Sequence, residues 1–234
     1  LVEAATDFNY RLMNLDRNVS KGWLDVDGEY DMPKGRLYYF RTTVYRFLVL
    51  SSVGNRFERR ALHIDSRIAE PSDLTFLLYV KALRWVITDA ALFQGVESYS
   101  EETPRDHFYA DRLREMCASM YDGERELRFG EFEDAMPMEG TMDALAFFDG
   151  LRPGSFRWER LTAFRLLLLG FINAFGYEHQ KSPQTHFDAV ARNIGTAKVA
   201  DNLRAWLPKL GLGDDLQAQQ IQASLANVVA PHAE

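Results

Sequence analysis

The sequence predicts an all-α protein, a multi-helix bundle of about eight or nine helices, and three observations predict it. Apolar residues recur every three or four positions along nearly the whole chain, as one buried face of a helix requires. No stretch carries the β-branched alternation and regular turn spacing of a sheet. Proline and small polar residues sit together where periodic segments begin, at Pro71-Ser72-Asp73, Thr103-Pro104 and Ser182-Pro183, which is how helices start. With 234 residues, 47% hydrophobic and 26% charged, the chain is long enough to bury a sizeable core. A single helical domain over 1–234 is expected. If it divides, the Gly- and Pro-containing run 149–154 is where 1–150 would part from 155–234.

The elements follow in order. The first helix places Ala5, Phe8, Leu12 and Leu15 on one side and ends near Val19. Its spacing is set from the first residues, so it is expected to begin upstream, in a longer protein. Residues 20–35 are punctuated by Gly22, Gly28, Pro33 and Gly35; the alternation Trp23-Leu24-Asp25-Val26-Asp27 allows a short hairpin or a packed loop. A long helix then spans about 36–63, with Phe40, Val44, Phe47 and Leu48 inward and Ser51, Ser52 and Gly54 permitting a close crossing or a kink. It should pair with the next, about 71–95, which turns Phe76, Val80, Leu83 and Ile87 inward.

A helix is expected from Thr103-Pro104 to Asp122-Gly123, burying the row Tyr109, Leu113, Met116, Cys117 and Met120. Residues 123–140 are acidic and less regular. Thr141 can cap a short helix to Phe148, and Ser155 a longer one to about Phe175. From Leu161 onward that helix is apolar on nearly every side, which places it at the centre. Three more helices complete the chain: one from Ser182-Pro183 to Gly195, one carrying Val199, Leu203 and Leu207, and one from Asp214 to about Val229.

Charge is segregated along the sequence. Seven arginines fall within 35–68: Arg36, Arg41, Arg46, Arg56, Arg59, Arg60 and Arg67. Residues 97–150 carry fifteen Asp and Glu against five Arg. Such poles give a chain reason to pair with itself or with a charged partner. Arg56, Arg59, Arg60 and His63 share one helix end at spacings of three and four, and are the candidate anion- or partner-binding group. Cations there also complement a helix C-terminus with no ligand at all. The net charge of −7 argues against nonspecific nucleic-acid binding by the whole surface but not by a local basic face.

Other chemistry is thinner. Cys117, the only cysteine, rules out an intrachain disulfide and a multi-cysteine zinc site. No Glu-x-x-His, His-Glu-x-x-His, Gly-x-x-x-x-Gly-Lys or Gly-x-Ser-x-Gly occurs, so bundle metalloenzymes, nucleotide and acyl-transfer enzymes lack their signatures. The run Asp25–Glu29 fails as a calcium loop because Trp23 falls where the first carboxylate belongs. His107, Asp111 and Glu115, four apart, are weak candidate metal ligands; flanking Arg112 and Arg114 make them read as a solvated face with ion pairs. Glu178-His179 and His186 follow the apolar helix in a loop, a common place for chemistry.

No family signature is matched. The expected function is therefore a non-catalytic interaction or regulatory domain that needs no cofactor, with a protein partner or self-association. A ligand pocket or enzyme site between helices is the alternative, and nucleic-acid or anionic-surface binding through 36–67 the next. The most apolar segment, 161–176, contains Arg165 and is shorter than the roughly 20 residues of a membrane span; a cytoplasmic location is expected.

Overall fold

Side chains that are apolar all round a helix can only be satisfied in the middle of a structure, and this chain builds outward from such a helix. The computed structural model describes residues 1–33, 35, 37–61, 70–103, 105–137 and 139–228, apart from the side chain at 139. Among them are ten α-helices and no strand: α1 (Val2–Arg17), α2 (Tyr38–Ala61), α3 (Pro71–Thr88), α4 (Ala110–Ser119), α5 (Phe129–Ala135), α6 (Met142–Phe148), α7 (Phe156–Phe175), α8 (Gln184–Ala191), α9 (Ala197–Lys209) and α10 (Leu216–Ala226). Fifteen of the twenty residues of α7 are buried, and α1, α3, α8 and α10 all pack on it. No helix among the described residues is long and apolar enough to cross a membrane.

The centre is aromatic. Phe8 of α1, Phe47 of α2, Phe148 of α6 and Phe164 of α7 meet with ring centroids 5.4–6.4 Å apart, mostly edge to face. Each is at most 3% exposed, and full burial of such a ring stabilises by about 2–3 kcal/mol. Gly170 has a packing reason. A Cβ there would lie 3.0 Å from Ile221 Cδ1 and 3.1 Å from the Tyr79 hydroxyl, so its bare backbone lets α3 and α10 close onto α7. The Tyr79 hydroxyl donates to Asp215 Oδ1 at 2.5 Å, and the same oxygen accepts Ala218 N at 2.9 Å to cap α10. Burial, then the Asp215 bond, pushes the Tyr79 phenol far above its usual range.

Departures from the expected elements have local causes. Among the described residues of 20–35 there is no hairpin. After a short 3-10 turn (Val19–Lys21), residues 22–33 pack as a loop, with Gly22, Asp27 and Gly28 at positive φ. α4 begins at Ala110 rather than near Thr103, because the preceding segment is spent on the end of α3: Phe108 N donates to Ile87 O at 3.1 Å. α3 stops at Thr88, where Asp89 Oδ1 takes Ala91 N at 2.8 Å and starts a 3-10 turn (Ala90–Phe93). The acidic stretch holds an additional helix, α5, because Glu131 accepts Arg128 N at 2.7 Å and the Arg125 guanidinium at 2.7 and 2.8 Å. The far end of the helix expected to reach His63 lies outside the described residues.

Candidate functional site

The two charged segments of the sequence are neighbours in the fold. Arg41, 3% exposed, sits 3.3 Å from Glu133 and donates to the carbonyls of Tyr30 and Met32 at 3.0 and 2.5 Å. Arg56 pairs with Glu126 while its guanidinium lies 4.3 Å over the Tyr121 ring. Tyr45 adds a hydrogen bond from its hydroxyl to Leu127 O at 2.9 Å. Arg41 and Arg56, two of the seven clustered arginines, are thus used within the molecule, holding residues 121–133 against α2. Arg59 and Arg60 are exposed on the last turn of α2, where they complement the helix dipole. His63 lies outside the described residues.

The three weak metal candidates do not converge. His107 precedes α4 and is buried, 5% exposed, with Nδ1 3.2 Å from the Tyr99 hydroxyl. Asp111 and Glu115 lie on the exposed face of α4, 2.5 Å from Arg114 and 3.0 Å from Arg112. The expected row fails because no helix connects position 107 to 111. Among the described residues no three His, Cys, Asp or Glu are gathered as a metal ion would need. Cys117 is buried, and burial pushes its thiol up to about 12, so it stays protonated and unreactive.

A cleft of mixed character opens between α1, α7, the 3-10 turn Glu178–Gln180 and α8, with a volume of about 330 Å³. Leu169, Ile172 and Val190 form its apolar side; Asn9, Tyr10, Arg165, His179, Lys181 and His186 supply polar groups. Asn173 fixes one wall by a two-way clamp, donating to Ser182 O at 2.8 Å and accepting Ser182 N at 2.7 Å. Arg165 is held at 3.1 Å from Asp16, whose other oxygen accepts Asn193 Nδ2 at 3.0 Å. Burial pulls the Arg165 pKa down and Asp16 opposes that shift, so a guanidinium stays charged with its direction set. The lining carries Arg17, Arg165 and Lys181 against the single carboxylate of Asp16, in a chain whose net charge is −7.

The sequence singles out His179 and His186 as loop-borne; both line the cleft, His179 from the 3-10 turn Glu178–Gln180 and His186 from α8 rather than from a loop. Arg165, Asn173 and Tyr10 were missed. Their signal was present: Arg165 and Asn173 are eight apart on a helix otherwise apolar over 161–172, and i, i+4, i+8 share a face. A polar stripe on a central helix must face a partner or a cavity.

Glu159, also on α7, is 5% exposed; Oε1 accepts the Thr196 hydroxyl at 2.8 Å, while Oε2 has no hydrogen-bond partner. Burial raises its pKa, against the bonds from Thr196, which lower it. A carboxyl whose folded pKa exceeds its unfolded one destabilises the fold when ionised, and that penalty disappears once pH falls below both values. Glu159→Gln is therefore expected to raise the thermal midpoint near neutral pH and to leave it unchanged below about pH 4. Melting curves across pH check this; an equal gain at both ends would trace it to packing instead.

Compared with protein-family models, curated proteins and solved structures, the chain matches none.

Proposed function

We propose that this chain is a helical binding domain whose α1/α7/α8 cleft takes a small anionic ligand, a carboxylate or a phosphate ester. One observation carries the reading: Arg17, Arg165 and Lys181 line a cleft of about 330 Å³ whose lining holds one carboxylate, Asp16, on a chain of net charge −7, with Arg165 held by Asp16 and Lys181 reaching Glu178 beside the cleft. That volume lies at the small end of ligand sites, about 300–1,000 Å³. Arg165 is oriented before any ligand arrives, so little ordering opposes binding. The apolar side would cover a short hydrocarbon portion while the cations meet the anionic end.

The test is calorimetric titration with a panel of small carboxylates and phosphate esters at constant ionic strength. At least one compound is expected to bind saturably, with Lys181→Gln weakening it several-fold and Arg165→Gln roughly tenfold, about 1.4 kcal/mol. Lys181 is exposed, so its variant reports on binding without disturbing the core. A panel that gives no saturable binding would remove this reading.

A second reading, interaction through charged surfaces, is favoured by Arg59 and Arg60 on one exposed end and by exposed Glu97, Glu101 and Glu102 on another. Self-association through them is expected to weaken between low and high salt. Sedimentation showing only monomer at low salt and high concentration would exclude that route.

A further inference from the structure

We infer that Arg11 and Arg46, on a different flank of α1 from the cleft, form a second anion site that takes a phosphate group. Arg11 is 6% exposed, yet its Nε and Nη1 have no hydrogen-bond partner among the described residues. The fold treats its other inward arginines differently. Arg160 donates to three carbonyls, Arg157 to three, and Arg41 and Arg165 each have a carboxylate. Arg11 is the exception among them.

Among the described residues, the charged or titratable groups that act on Arg11 are Arg46, Tyr38 and Tyr39, with no carboxylate. Burial and then Arg46 both oppose its charge, and an anion bound beside its unpartnered donors would favour it. Arg46 is half-buried and donates from Nη1 to Asp7 O at 2.9 Å, a neutral acceptor. The position of Arg11 is fixed by stacking. Its guanidinium carbon lies 5.1 Å from the centre of the Tyr39 ring, and that ring is stacked on Trp23 at 4.0 Å and 5°. Tyr38 and Tyr39 are 47% and 37% exposed, so the aromatic rim is open to a ligand and its hydroxyls can donate.

Arg46 reaches Asp7 O, one turn before Arg11 on α1, so two arginines share this flank and suit a dianion; a phosphate monoester carries about −1.5 to −2 at neutral pH with three acceptor oxygens. A planar guanidinium fork meets two of those oxygens at once. The phosphate could belong to a free small molecule or to a phosphorylated side chain; the recognition chemistry is the same.

The experiment is titration of the full chain with inorganic phosphate at constant ionic strength, followed by calorimetry and thermal midpoint. Adenosine monophosphate and a phosphoserine peptide form two further arms, and tighter binding in one of them identifies the source. Saturable binding is expected in an Arg165→Gln background, which removes the contribution of the cleft, and is weakened there roughly tenfold or more by Arg11→Met and by Arg46→Gln. Arg11→Met keeps the stem over Tyr39 and removes the unpartnered donors, so the variant is expected to melt no lower than the parent. The proposal is overturned if no arm binds saturably, or if binding survives both variants unchanged.

Discussion

Replacing Arg160 with Met is expected to remove about 3–5 kcal/mol of stability, the range for stripping one side from a buried charged network. Arg160 on α7 is fully buried. Its Nη1 donates to Val86 O at 2.6 Å and Asp89 O at 2.9 Å, its Nε to Asp106 O at 2.8 Å, and its Nη2 to the Tyr99 hydroxyl at 3.1 Å. Val86 belongs to the last turn of α3, where carbonyls have no partner within the helix. One guanidinium therefore closes the end of α3, the turn after it and the loop ahead of α4. It lies 5.0 Å from the centre of the Phe93 ring, which covers it. Burial pushes its pKa down to about 10, still ionised at neutral pH, and the negative end of α3 favours that charge.

Methionine fills much of the same volume and supplies no donor, leaving three carbonyls and a phenol without their partner. Each stranded buried group costs about 1–3 kcal/mol, less what water recovers. Lysine keeps the charge but not the fork, so Arg160→Lys is expected to fall between parent and Met. Urea unfolding measures the loss. A change below about 1 kcal/mol would mean that the carbonyls rehydrate and that the loop 99–109 is held by other contacts.

The helices were legible because their information is local. Phe8, Leu12 and Leu15 share a face in the sequence and in the core; Ser155 caps α7 as read, accepting Trp158 N at 3.2 Å. The centrality of α7 followed from Leu166–Leu169 being apolar on all sides. What could not be read is where a polar group finds a partner distant in sequence. Arg160 meets carbonyls 54 to 74 residues away, and no spacing rule connects them. The same limit hid the reason α4 starts late, since Thr103-Pro104 is a sound start signal and only the end of α3 outbids it. Segregated charge was visible; that Arg41 and Arg56 would be consumed by Glu133 and Glu126 depended on how α5 folds back on α2. The cleft followed the same pattern. His179 and His186 could be singled out as loop residues, whereas Arg165 read only as an interruption in an apolar run.

Asp149→Ala is expected to lower stability by about 2–3 kcal/mol, with Asp149→Asn intermediate, and to loosen one loop before the whole fold yields. The run 149–154 looked like a linker because it holds two glycines and a proline. In the structure its first residue is a hub. Asp149 Oδ1 accepts Val26 N and Asp27 N at 3.2 Å each, and Oδ2 accepts Gly28 N at 2.8 Å and the Tyr30 hydroxyl at 3.1 Å. Three successive amide groups face one carboxylate because Asp27 and Gly28 hold φ of 51° and 80°, the concave backbone that binds anions. Gly150 N donates to Leu24 O at 2.8 Å, and Arg157 Nη1 closes the end of α6 through the carbonyls of Ala146, Phe147 and Asp149 at 2.8–2.9 Å. Bonds to a charged acceptor contribute about 1.5–3 kcal/mol each when well buried, and these are partly exposed, so the four together are taken at about 2–3 kcal/mol rather than four times the single value. Asparagine keeps the oxygen that serves Val26 and Asp27 but turns an amide N–H toward the Gly28 N–H, which explains the intermediate rank. Hydrogen exchange resolves the two scales of the effect: amides 26–28 should lose protection in Asp149→Ala under conditions where α7 keeps its own. Uniform loss across both would show that this loop and the core unfold as one unit.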